Sequence, residues 1–580
     1  LLAEGTYSIQ ELLPKGWFLD SIDITGGEGT TNLDTATATV DWTSHDNITV
    51  TYTNTEGAHI TVQKHAEGGE NVNFRFAASG TDNRGETFNT EFTLSDGEQN
   101  SIGEGGYIRP GTYTVEELET AGWFFDKVVS HGKGGTVTDQ GATQVVCVGP
   151  GGCIELCYYN SEGAQIIVAK TAIGPAGGET NFEFTATAET PGTDIQPDFS
   201  VIGNDSIALN SSEQTGYVRP GTYTISELAK EGWFFDKVDG GTGNPLSAIQ
   251  EVTVLAGDSR TLTYQNTQGA QITVAKTAIG PAGGETNFEF TATAGTPGTD
   301  IQPDFSVLGN DSIVLNSSGK TGYVRPGTYT ISELAKEGWF FDKVDGGTGN
   351  PLSAIQEVTV LAGDSRTLTY QNTQGAQITV AKTAIGPAGG ETNFEFTVSG
   401  ETADPNFTLT GDDSITLSSK AWDDYIRPGT YTINEDPTNG WFFDSVAFEG
   451  TNSKVTNNNG TAQTLEVQPG GEAFLTYQNS QGSEITVTKA AIGVNGSLTD
   501  FNFTARGETS DGRFTLSGGE SITLSSDGQP GFVRPGEYTI ATVGKKAHDA
   551  FKYDSRKVSS NIELWDNITF EGAKQEAQSL

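Results

Sequence analysis

Few residues of this 580-residue chain could do chemistry by type and spacing alone. Three cysteines, Cys147, Cys153 and Cys157, stand within VVCVGPGGCIELCYYN. The GPGG between them predicts a hairpin that brings Cys147 near the other two. In an oxidising compartment that gives one disulfide and one odd thiol, or a disulfide to a second molecule. A zinc site would need a fourth ligand. None is near in sequence, His131 being a distant candidate, so no metal or other cofactor is assigned. The five histidines do not recur in any pattern, and no Ser–His–Asp order, phosphate loop or HExxH motif is present. Acidic turns such as GNDS and GDDS lack the spacing of a calcium loop. The carboxylates Asp236 and Asp342 follow aromatic pairs and read as solvated faces. Sequons are frequent, and Asn204 and Asn310, in turns, are the candidates to carry glycans if the source glycosylates asparagine. No site for turnover emerges, so the expectation is a protein that is not an enzyme.

The elements around these residues are set by repetition. Segments 163–268 and 269–374 differ at six positions. GTYTISE at 221–227 and 327–333 returns as GTYTVEE at 111–117, GTYTINE at 429–435 and GTYSIQE at 5–11. GWFFD recurs at 122–126, 232–236, 338–342 and 440–444, with GWFLD at 16–20. A period of this size is that of a small independent domain, not of a solenoid repeat. Within one period, NFEFTATA, DSIVLN, GTYTISEL, EVTVL and TLTYQN alternate apolar and polar residues, with Gly, Pro, Asn and Asp between them. The expected fold is all-β, a tandem array of Ig-like or prealbumin-like β-sandwiches of about seven strands each. The Trp of GWFF is the expected core plug. The expected domains are 57–162, 163–268, 269–374 and 375–481, with half a repeat at 1–56 and a divergent one with an atypical tail at 482–580. Only Thr267–Ala270 lie plainly between two domains, which predicts a stiff rod.

Composition narrows the function classes. Asp and Glu number 75 against 32 Lys and Arg, a net charge of −43. That excludes a basic nucleic-acid footprint and disfavours anionic lipid. No apolar run approaches the roughly 20 residues that cross a membrane. The chain starts at Leu1 and has no Met, so it reads as a processed chain or a fragment. Lack of Met also removes a common target of oxidants, which suits life outside the cell.

The order ITVxK, an FxF strand, PGTYTxxE and a last strand ending in YxN resembles the CnaB-type, SpaA-like, prealbumin-like (transthyretin-like) repeats of bacterial surface proteins and pilins. The resemblance covers nearly the whole chain, least well at its ends. It implies an intramolecular isopeptide bond from a first-strand Lys to a last-strand Asn, with a Glu as proton shuttle. The matching residues are Lys64, Glu117 and Asn160; Lys170, Glu227 and Asn266; Lys276, Glu333 and Asn372; and Lys382, Glu435 and Asn479. The residue types suit the chemistry. Burial favours the neutral, nucleophilic amine and the protonated Glu, which polarises the carboxamide and passes protons as ammonia leaves. The bland reading makes the Lys a strand-edge charge, the Glu its partner and the Asn a turn former.

The ends depart from the pattern. Residues 1–56 carry Glu11 and Asn54 but no first strand and no Lys. Residues 482–535 supply Lys489, while Thr542 stands where Glu is expected, and the GWFF cluster and YQN ending are missing. The two parts look complementary, which predicts that the C-terminal repeat of one copy completes the half-repeat of the next. Such a head-to-tail contact does not close on itself and builds a filament. Lys489, Glu11 and Asn54 are the intersubunit bond candidates. The simpler reading is a slice of a longer repeat protein. The expected function is thus an extracellular, cell-surface structural protein whose partners are copies of itself. The alternative is the rigid stalk of an adhesin whose binding tip lies outside this chain.

Overall fold

The computed structural model describes residues 3–491 and 495–543, and the backbone of 551–554, 560–564 and 568–570. The chain is all-β, built from repeated pairs of sheets. It divides into two compact units, Leu1–Gly269 and Ala270–Leu580. Each unit holds three separate hydrophobic clusters among the described residues.

Segment 269–374 shows the plan. One sheet runs, in spatial order, through strands Ser312–Val314, Gln271–Ile279, Ser365–Gln374 and Trp339–Asp345. The other runs through Asp304–Leu308, Asn287–Ala294, Gly327–Glu333 and Ile355–Val360. The first strand lies parallel to the last, with Lys276 beside Tyr370. The period-two pattern sends Phe288, Phe290 and Ala292 inward from the first-named residues of NFEFTATA, and Val358 and Val360 from the opposite edge. Trp339 is buried edge-on against Phe288, ring centroids 5.1 Å apart, so the Trp does plug the core. Tyr370 crosses the sandwich, its hydroxyl donating to the Ile331 carbonyl of the other sheet. Tyr329 donates to the Arg325 carbonyl four residues back and pins the start of its strand.

Segments 57–162 and 375–481 vary this plan. Their last strands, Thr143–Glu162 and Ala462–Gln481, each run through both sheets. Residues 143–148 pair with 111–116, and 153–159 pair in parallel with 59–65. This corrects the hairpin expected at GPGG. The Gly and Pro bend one strand from sheet to sheet instead of reversing it, as such residues do at bulges.

The expected linker is also corrected. Thr267 and Gln268 belong to the strand Ser259–Gln268, and Ala270 is fully buried, bridged to Val324.

The first 56 residues form two small sheets, Gly5–Gln10 with Thr37–Trp42 and Glu28–Asn32, and Trp17–Thr25 with Thr49–Glu56. Their core is sparse: Trp17 is 42% exposed, where Trp123, Trp233, Trp339 and Trp441 are 5–7% exposed. At the other end, Ser560–Leu564 lies parallel to Ile485–Lys489, the place that the YQN strand takes elsewhere.

Candidate functional site

The three residue types named from sequence meet in four repeats. Lys64 Nζ donates to Asn160 Oδ1 at 2.5 Å and lies 3.0 Å from Glu117 Oε1, which accepts from Asn160 Nδ2 at 2.8 Å. Lys170 Nζ lies 3.0 Å from Glu227 Oε1, which accepts from Asn266 Nδ2 at 2.6 Å. Lys276 Nζ donates to Glu333 Oε1 at 2.8 Å, and Asn372 Nδ2 donates to the same oxygen at 2.7 Å. Lys382 Nζ pairs with Glu435 Oε1 at 3.0 Å, and Asn479 Nδ2 donates to that oxygen at 2.6 Å. One carboxylate oxygen thus touches both the amine and the carboxamide nitrogen.

The fold brings them together through register. The Lys strand lies parallel to the Asn strand, with the Asn two residues beyond the Lys partner: Lys276 faces Tyr370, and Asn372 follows. The Glu ends its strand in the opposite sheet and closes the gap from above. All four lysines and all four glutamates are buried, and each lysine stands 4.3 Å over a Phe ring, those of Phe74, Phe182, Phe288 and Phe394. Burial lowers the pKa of Lys64, Lys170, Lys276 and Lys382, against the pull of the paired Glu; Lys276 is brought down to about 8. Burial raises the pKa of Glu117, Glu227, Glu333 and Glu435. Asn266, Asn372 and Asn479 keep a buried Oδ1 with no hydrogen-bond partner, so the carbonyl to be attacked is not held by another donor. One part of the bland reading holds, since each Glu is the ion-pair partner of its Lys, but the placement of the Lys and Asn differs from it. These lysines lie in interior strands, and Asn266 and Asn372 lie within strands, not in turns.

The ends hold parts of the same site. Asn54 Nδ2 donates to Glu11 Oε1 at 2.6 Å, with Glu11 Oε2 and Asn54 Oδ1 buried and unpartnered. Lys489 is buried 4.2 Å over Phe501. Thr542 faces Phe503 where Glu333 faces Phe290. Glu11 and Asn54 belong to one unit and Lys489 to the other.

The cysteines do not form the expected pair. All three are free, and Cys147, Cys153 and Cys157 lie along one strand. Cys147, Cys153 and Cys157 face Thr136, Lys133 and Val129 on the strand Trp123–Gln140, so neighbouring cysteines stand about 10–13 Å apart along it, while a disulfide needs Cα atoms about 5.5–6 Å apart. Cys157 Sγ instead donates to Gln63 Oε1. His131 lies opposite Glu155, and no group of metal-ligating side chains occurs among the described residues. Asn204 and Asn310 are exposed in left-handed turns, and their Oδ1 atoms accept from the Ala172 and Ala278 amides.

Sequence reasoning missed one recurrent contact. The Asp of GWFFD is not a solvated face. Asp20, Asp126, Asp342 and Asp444 pair with Arg109, Arg219, Arg427 and Arg534 at 2.5–2.9 Å. Each Asp is the extra residue of a β-bulge, which turns it out of the alternation. The Arg comes from the RPG of the following repeat. The signal was available, since both motifs recur at fixed spacing.

No known family model matches the chain, and no curated protein matches it. Similar solved structures include the Bacillus anthracis TIE protein, at 12% identity over 81% of this chain and 76% of that one, TM-score 0.21. The major pilin from Streptococcus pyogenes is 15% identical over 37% of this chain and 99% of its own, TM-score 0.16. BcpA, the major pilin subunit of Bacillus cereus, is 13% identical over 55% and 99%, TM-score 0.22.

Proposed function

We propose that this chain is an extracellular structural protein of a surface filament, whose repeats lock themselves with Lys–Asn amide bonds. The observation that carries this reading is the fourfold buried Lys–Glu–Asn cluster. The neutral amine of Lys276 attacks Asn372 Cγ, the Cγ–Nδ2 bond breaks, and an Nζ–Cγ amide forms. Glu333 takes the proton from Nζ and gives it to Nδ2, so that ammonia leaves and the carboxyl is regenerated. Nothing else is consumed, and the step occurs once per repeat, without turnover. A closed loop of about 100 residues restricts the unfolded chain by about 4.7 kcal/mol on the disulfide loop-entropy model. Linking first strand to last also lets tension bypass most of the sandwich.

The filament is assembled head to tail by completion of the half-repeat at 1–56. Exposed Trp17 and the Glu11–Asn54 pair, which has no lysine in its own half-repeat, support this. In one molecule, Ser560–Leu564 already occupies the place beside Ile485–Lys489. Assembly therefore exchanges the chain's own tail strands for Gly5–Glu56 of the next copy, a donor-strand exchange.

Tandem mass spectrometry of a protease digest tests both statements. Expected are peptides joining Lys276 to Asn372, and Lys489 to Asn54 in assembled material, each lighter by the mass of ammonia. Only unlinked peptides would remove the bond chemistry and leave packing alone. A Lys276–Asn372 link without Lys489–Asn54 would keep the locked repeat and remove the covalent polymer.

A further inference from the structure

The contact between successive repeats is built onto the bond site. Within unit Ala270–Leu580, Arg427 of segment 375–481 reaches back to segment 269–374. Its Nη2 donates to the Phe341 carbonyl and its Nη1 to Asp342 Oδ1, each at 2.9 Å, and its guanidinium lies 4.9 Å over the Phe340 ring. Phe341 is the cross-strand partner of Asn372, and Asp342 is the bulged residue beside it. Asp342 Oδ2 accepts from the hydroxyl of Thr373, the residue after Asn372. Trp422 Nε1 donates to the Trp339 carbonyl at 2.8 Å. Between these contacts lies a cavity of about 320 Å³ lined by both Glu333 and Asn372 on one side and Trp422 and Arg427 on the other.

The same layout recurs within unit Leu1–Gly269. Arg219 grips the carbonyl of Phe125, partner of Asn160, and the bulged Asp126. Gln214 takes the place of Trp422, accepting from the Gly122 amide and donating to the Trp123 carbonyl. A cavity of about 410 Å³ touches Glu117 and Asn160 and is lined on its far side by Glu213 and Gln214. At the joint after Trp441, Arg534 binds the carbonyl of Phe443, partner of Asn479, and Gln529 accepts from the Gly440 amide.

A β-bulge disrupts its ladder and leaves one residue unpaired. Here that weak point falls next to the carboxamide that must be held for attack. The arginine of the next repeat supplies the donor at that point, and its bridge through Asp342 and Thr373 fixes the backbone on either side of Asn372. We propose that, within each unit, a repeat is the positioning partner for the bond of the repeat before it. Docking roofs the Glu–Asn cavity and steadies the Asn strand, so bond formation in one repeat waits for the next to fold against it. This rests on the self-bonding reading above. Arg219, Arg427 and Arg534 are positioning residues, since none touches the reacting atoms.

The test uses the full chain made by cell-free synthesis, with timed samples analysed for the Lys276–Asn372 and Lys382–Asn479 peptides. In Arg427→Ala, the Lys276–Asn372 bond should form roughly ten- to a hundred-fold more slowly. The Lys382–Asn479 bond, inside the repeat that carries Arg427, should form at the unmodified rate. Arg427→Lys should remain slow, because one ammonium cannot serve the Phe341 carbonyl and Asp342 as a fork does. Equal rates at both bonds overturn the proposal, as does equal slowing, which marks a folding defect of 375–481. If neither bond forms in the unmodified chain, the self-bonding reading falls and this inference with it.

Discussion

At the residue scale, burial decides what Lys276 and Glu333 can do. Only the neutral amine attacks, and Lys276 is held at about 8. Below that value the neutral fraction grows about tenfold per pH unit, and above it the fraction saturates. Bond formation should rise along that curve in timed mass spectra taken below about pH 8, where Glu333, its pKa raised by burial, supplies the proton, and a pH-independent rate there would contradict it. Glu333→Gln keeps the shape but carries no proton. The Lys276–Asn372 bond should stay unformed, and calorimetry should show this repeat losing about 4.7 kcal/mol of stabilisation. The Lys, Glu and Asn were legible in the sequence because they recur in one order. Their meeting at a single carboxylate oxygen was not, since it depends on parallel register between strands 96 residues apart. Asp342 was misread because alternation assigns it outward, while the bulge that re-aims it leaves no mark in a single copy of the motif.

At the scale of elements, period-two alternation was a sound guide to strands, and the Trp to the core. Trp339→Ala should destabilise its repeat by about 3–5 kcal/mol, as large core truncations do. Trp17→Ala should cost far less, because that ring is 42% exposed, whereas Trp339 is buried against Phe288. Denaturant melts of the two variants decide the matter, and equal losses would mean that the half-repeat has a closed core. The failure at GPGG has a plain cause. Gly and Pro mark a departure from regular pairing, and only tertiary partners settle whether the chain turns back or bends onward. Strand Thr143–Glu162 bends onward because residues 59–65 and 111–116 offer it edges in both sheets.

At the scale of the whole molecule, the repetition of sheet units and the acidic balance were readable from self-comparison and composition. The joints were not, because each is made by two different motifs in two neighbouring copies. That division of labour has a genetic consequence. Each of the four full-length repeats carries its arginine near the middle and its aspartate further on, and the stretch QNTQGAQ reads identically at 265–271 and 371–377. Loss of 269–374 by unequal recombination would therefore leave no scar at the seam. In such a deletion, Arg427 should take Asp236 as its partner, and the Lys170–Asn266 and Lys382–Asn479 bonds should form as before; their loss would show that the copies are not interchangeable. A gene of this design can lengthen or shorten its product by one whole unit at a time, so reach becomes a trait that selection can adjust without touching the chemistry.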